Sequence, residues 1–199
     1  MSQVFVSGHK SPDTDSIAAA LSYSYLKRRL GMDAVAVRAG EINKESRFAL
    51  DYFDLEEPIL VTSVARKNPE DEKQKVILVD HNESKQTIDG MDDAEVLEII
   101  DHHRFGDFES ENPIFILVRP VGCVNTVIYG LYKANHIKPS REIAGIMLSA
   151  IISDTVLFRS PTTTEEDKET AKELAEIAGV DYEAYGMEML KAGYFRLSC

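Results

Sequence analysis

Cysteine occurs only twice in 199 residues, at Cys123 and Cys199, and tryptophan not at all. Two thiols are too few for a disulfide scaffold and lack the paired spacing of a cysteine zinc site. Both read as reduced thiols, Cys123 as a packing residue. Basic residues are also short, 22 against 34 acidic ones, for a formal net charge of −12. This balance argues against a nucleic-acid duplex as partner, because a phosphate backbone needs a concentrated basic face. It leaves room for a small phosphate ligand held through cations, since each divalent ion reverses the local field around carboxylates. No apolar run approaches the ~20 residues of a membrane span. The N-terminal MSQVFVSGHK lacks the basic and then apolar pattern of a signal peptide, so a cytoplasmic protein is expected.

What is present has the composition of an ordinary globular chain, 44% hydrophobic and 28% charged, with the length of one α/β domain. Apolar, β-rich runs at 3–7, 34–38, 59–61, 75–80, 95–100 and 114–119 alternate with helical patterns. The helices are expected at 16–30, 44–52, 124–135, 142–153, 164–178 and 186–192, the first stopped by Gly31 and the fifth capped by Thr164. This alternation predicts an α/β fold, a mainly parallel sheet with helices on both faces in a Rossmann-like, doubly wound arrangement. The charged, proline-containing stretch 66–75 reads as a solvated loop.

The chemistry collects after the apolar runs. His9, Asp13 and Asp15 follow the first strand within GHKSPDTDS, Asp80-His81-Asn82-Glu83 closes the fourth, and Asp101-His102-His103 closes the fifth. In an open parallel sheet, ligands bind at the carboxyl ends of the strands, so these groups are expected to converge. Five or more mixed carboxylate and imidazole ligands suit two first-row divalent cations better than one zinc. Manganese is the first candidate, with cobalt and magnesium as alternatives. Two such ions ~3.5–4 Å apart share a bridging carboxylate and activate a water for attack on phosphorus. Asp154 ends a helix, where the macrodipole disfavours an acid, and a compensating cation explains it. His81 reads as turned away from the cations, and the threonines 162–164 as capping residues. Lys10, Arg104 and Arg159 are either phosphate contacts or surface charges.

In order, GHKSPDTDS, VDHNE, DHHR and SAIISDT resemble the DHH phosphoesterase superfamily and, within it, the family II manganese-dependent inorganic pyrophosphatases. The resemblance covers almost the whole chain, RPVGC and GMEMLKAG included. It implies that His9 and Asp13 bind one metal, that Asp15, His102 and Asp154 bind the other, and that Asp80 bridges the two. His103 is then the residue that contacts the phosphate and assists the leaving group, making Asp80 and His103 the catalytic pair. Asp101, Asn82 and Glu83 orient the ligands from behind. Ser11 stands where those enzymes usually have asparagine. The implied reaction is hydrolysis of pyrophosphate to two phosphates by a hydroxide bridging two metals, in a homodimer. The resemblance also implies a metal-binding domain over 1–190, a truncated linker or tail over 191–199, and no C-terminal domain to clamp the substrate, so weakened turnover is expected. Two other readings remain open here: a DHH phosphoesterase acting on short oligonucleotides or nucleotide phosphates, and an isolated, dimeric metal-binding core with little activity.

Overall fold

A computed structural model of the protein describes residues 3–194. Six short apolar strands, β1 (Val4–Ser7), β2 (Ala34–Arg38), β3 (Ile59–Leu60), β4 (Lys75–Val79), β5 (Glu95–Asp101) and β6 (Phe115–Val118), form one sheet in the order β3-β2-β1-β4-β5-β6. Every pairing is parallel. From β1 the chain winds outward through β2 to β3, then returns to β4 and winds the other way through β5 to β6. The order therefore reverses between β1 and β4, and the crevice outside their carboxyl ends is where such a sheet binds ligands.

Six helices accompany the sheet: α1 (Thr14–Arg29), α2 (Lys44–Tyr52), α3 (Val124–Ala134), α4 (Arg141–Thr155), α5 (Glu165–Ala178) and α6 (Tyr182–Tyr194). Side chains alternate across the strands. Val4, Val6, Ile77 and Val79 join the cluster that holds the apolar residues of all six helices. Val37, Val76, Leu78 and Ile99 point the opposite way, into a smaller cluster with Val64 and Ile88 that contains no residue of these helices. The parallel sheet is thus as expected, but the expectation of helices on both faces needs correction. Right-handed crossovers place the connections from β3 to β6 on the far face. Those connections contain Pro69, Gly90, Gly106 and Pro113 and lack a helical apolar period, so they form loops with two short 3-10 turns at Ser84–Gln86 and Met91–Asp93.

Helix α4 is apolar nearly all round and lies buried among its neighbours, with Ser140 capping its start by accepting from the Ile143 N–H at 3.3 Å. Thr164 and Asp167 form a reciprocal capping box at the start of α5, as its sequence predicts. The last helix is longer than the expected 186–192, starting at Tyr182 and continuing through Gly193 to Tyr194, so the stretch that the resemblance implies as a linker begins inside it. The remainder of that stretch, 195–199 with Cys199, lies outside the described residues. No helix among the described residues is long and apolar enough to cross a membrane.

Candidate metal centre

Three strand ends and one helix end supply the centre. After β1 the chain turns through Gly8, where a Cβ would stand 2.2 Å from the Ser16 Oγ. This close approach lets the Ser16 hydroxyl accept from the His9 N–H at 3.0 Å and fixes His9 over the start of α1. Asp13 caps α1, its Oδ1 accepting from the Ser16 N–H at 3.0 Å, and keeps Oδ2 for the crevice. One side chain therefore caps the helix and still presents an oxygen to His9. Beyond β4, Asp80 adopts a left-handed backbone with φ 63°. A non-glycine residue held there costs on the order of 1–3 kcal/mol, which here folds the carboxylate back over the strand ends.

The six side chains expected as ligands come together. His9 Nε2 lies 3.6 Å from Asp13 Oδ2 and 3.3 Å from Asp80 Oδ2. His102 Nε2 lies 3.3 Å from Asp80 Oδ1, 3.5 Å from Asp15 Oδ2 and 4.0 Å from Asp154 Oδ2. One oxygen of Asp80 thus belongs to each half. Both oxygens are buried, and neither accepts a hydrogen bond. A buried carboxylate whose nearest partners are two imidazoles at 3.3 Å, with no hydrogen bond to either oxygen, is shaped to bind something else.

The electrostatics agree. Burial works against a charged His9, yet Asp13 and Asp80 outweigh it and push the imidazole up to about 10. Burial likewise opposes charge on His102, but Asp80 and Asp15 push it up to about 10. Burial alone would raise the Asp80 carboxyl, while His102 and His9 pull it below the usual carboxylate range. Asp15 is pushed up to about 6 by burial and by Asp80, and Asp154 is raised well above its ordinary value by burial and by Asp15. The cluster holds more negative charge than its imidazoles balance. Four aspartates, the charge of two divalent cations, and two neutral imidazoles form a donor set that fits such ions.

Around this set, Asp101 is fully buried and collects donors. Its Oδ1 accepts from the His102 N–H at 2.7 Å, the His103 N–H at 3.2 Å and His103 Nδ1 at 2.8 Å, and its Oδ2 accepts from Asn82 Nδ2 at 2.6 Å. His103 is half exposed and lines the crevice, so Nδ1 is committed to Asp101 and Nε2 remains for a ligand. Glu83 instead pairs with Arg104 at 3.0 Å and does not reach the cluster. His81 is buried, its Nδ1 bonded to the Val79 carbonyl at 2.9 Å, and its ring stands edge-on to His9 at 6.4 Å.

Two residues read differently in the structure. Cys123 is not mere packing, because its thiol donates to Asp15 Oδ1 at 2.9 Å. With the Val124 N–H at 2.9 Å and Asn125 Nδ2 at 2.6 Å, it anchors Asp15 on the N-terminus of α3. Thr162 is not a helix cap either, for it lines the crevice, a cleft of about 300 Å³, beside Val121 and Gly122. Asn125→Ala is expected to weaken divalent-metal affinity about 10- to 100-fold, the usual effect of removing a ligand's supporting hydrogen bond. Isothermal titration of the metal-free protein with manganese checks this.

Sheet order, switch-point crevice and carboxylate–imidazole cluster define a doubly wound α/β protein with a centre suited to divalent cations. Residues 3–151 match the model described as "DHH family, N-terminal domain", and the chain belongs to that family. It is 54% identical over 193 residues to an Exiguobacterium sp. protein named "Probable manganese-dependent inorganic pyrophosphatase", covering 97% of this chain and 61% of the relative. A Bacillus licheniformis protein of the same name gives the same identity and coverage. The chain thus spans about three fifths of the length of these curated relatives. Its fold superposes on a structure titled "Crystal structure of Methanococcus jannaschii putative family II inorganic pyrophosphatase", with a TM-score of 0.86 and 44% identity over 96% of this chain and 61% of the other.

Proposed function

We propose that the protein hydrolyses inorganic pyrophosphate to two phosphates with the help of two divalent cations, manganese being the preferred metal. The observation that carries this reading is Asp80, whose two buried, unpartnered oxygens each lie 3.3 Å from an imidazole of a different half-site. The manganese-dependent pyrophosphatase names of the relatives support the choice of substrate and metal.

In this reading His9 and Asp13 would hold one ion, Asp15, His102 and Asp154 the other, and Asp80 would serve both, within a metal-binding domain over 1–190. Bound divalent cations supply Lewis acidity for phosphate oxygens and acidify water. The protein supplies position and a proton. Water would bond through its oxygen to one phosphorus as the bridging P–O bond breaks, releasing a proton to solvent, and His103 would donate the proton on Nε2 to the departing phosphate oxygen and regain one from solvent. Asp101 holds the opposite ring nitrogen and so fixes which nitrogen faces the substrate, while Asn82 holds Asp101. The net charge of −12 supports a small anion bound through cations rather than a nucleic acid. A cytoplasmic homodimer completes the reading, and Phe115 and Ile116, exposed on the edge strand β6, offer apolar surface for it.

The manganese-loaded protein is expected to release phosphate from pyrophosphate, and chelation is expected to stop it. Release from short oligonucleotides or nucleotide phosphates but not from pyrophosphate would contradict the assignment.

A further inference from the structure

Glu45 carries none of the roles assigned above, yet its carboxylate joins two parts of the centre. It sits in the first turn of α2, where a helix N-terminus favours a negative charge. Its Oε1 accepts from the Thr14 hydroxyl at 2.6 Å and from the Ser153 hydroxyl at 2.5 Å. Thr14 lies between Asp13 and Asp15, and Ser153 directly precedes Asp154. A single oxygen therefore links the backbone segments that carry three of the six expected ligands, which otherwise belong to different helices. The surroundings hold this carboxylate in place. Thr14 Oγ1 also lies 3.1 Å from the Ser46 Oγ, and a Cβ on Gly193 would stand only 3.3 Å from Glu45 Cβ and Oε2, so α6 closes over the side chain.

A tie between helices need not concern the centre, but this one lies one residue from each ligand it would set. Metal sites depend on such supports, because ligands must be held close to their productive geometry. We propose that Glu45 is a positioning residue of the metal centre. It sets the spacing between the start of α1, with Asp13 and Asp15, and the end of α4, with Asp154. The inference rests on the two-metal reading and adds a residue to it.

Both bonds end on the same oxygen, which gives the test its discrimination. Glutamine retains a carbonyl Oε1 able to accept both hydroxyls, alanine retains nothing, and aspartate is one methylene too short to reach. Manganese titration of the metal-free protein, followed by the EPR signal of unbound ions, reads affinity without relying on turnover. Glu45→Ala and Glu45→Asp are expected to weaken at least one ion about 10- to 100-fold, while Glu45→Gln stays within about threefold of the parent. Thermal unfolding of the metal-free variants separates this loss from a general loss of fold. Where Glu45→Ala fails to fold, Thr14→Val and Ser153→Ala test the same link, and each is expected to weaken binding. The inference is overturned if Glu45→Ala, or both hydroxyl variants, bind two ions like the parent, or if Glu45→Gln binds as poorly as Glu45→Ala. A parent that binds no manganese would overturn the two-metal reading itself, and this inference with it.

Discussion

Asp80→Asn is expected to slow pyrophosphate hydrolysis at least about 10³-fold and to leave the protein unable to hold two ions at once. Asparagine matches the volume of aspartate and is among the few residues that accept a left-handed backbone, so the turn at φ 63° survives. What changes is the chemistry of one atom. The amide nitrogen cannot ligate a cation, and it replaces an oxygen that stands 3.3 Å from His9 or from His102. Each half-site depends on one Asp80 oxygen, and the substitution removes one of them whichever way the amide turns. Steady-state phosphate release together with metal analysis of the purified variant checks both parts. A variant that keeps two ions and full turnover would show that Asp80 is not shared.

His103→Gln is expected to lower kcat by about 10²- to 10⁴-fold, the usual range for loss of a general acid, with manganese stoichiometry unchanged. The separation follows from geometry. His103 Nδ1 is taken up by Asp101 at 2.8 Å and lies 3.7 Å from Asp80, while its half-exposed ring borders the cleft. Glutamine can still donate a hydrogen bond but cannot give up a proton at a useful pH. Asp101→Asn should reproduce a smaller part of the loss, about 10- to 100-fold, because the ring remains but its orientation is freed. Metal content measured beside kcat distinguishes this pattern from that of Asp80→Asn. Loss of metal in His103→Gln would move the residue into the ligand set.

The sequence made much of the scaffold readable because its signals are local. Lys44–Tyr52 was expected from its pattern and forms α2 over those residues, with Asn43 capping its start. Ala34–Arg38 forms β2 with the expected bounds, and each proposed ligand lies at the end of an element visible in the apolar pattern. Handedness was the part the pattern could not carry. Winding puts the crossovers leading to β4, β5 and β6 on the far face, and whether that face is covered by helices or loops depends on segments with little periodicity. The supports of the centre were hidden for another reason. Cys123 and Asn125 reach Asp15 across 108 and 110 residues, and Glu45 reaches Ser153 across 108, distances over which spacing carries no information. Nor did any motif signal the left-handed turn at Asp80, since aspartate is ordinary in sequence and unusual only in that conformation.

Two-metal hydrolysis at this centre requires one carboxylate, Asp80, to serve two ions. EPR spectroscopy of the protein titrated with manganese tests this directly, because ions sharing a bridging ligand are magnetically coupled. Two ions per chain with a coupled spectrum, which disappears in Asp80→Asn, is the predicted result. One ion per chain, two uncoupled ions, or coupling that survives in Asp80→Asn would contradict it.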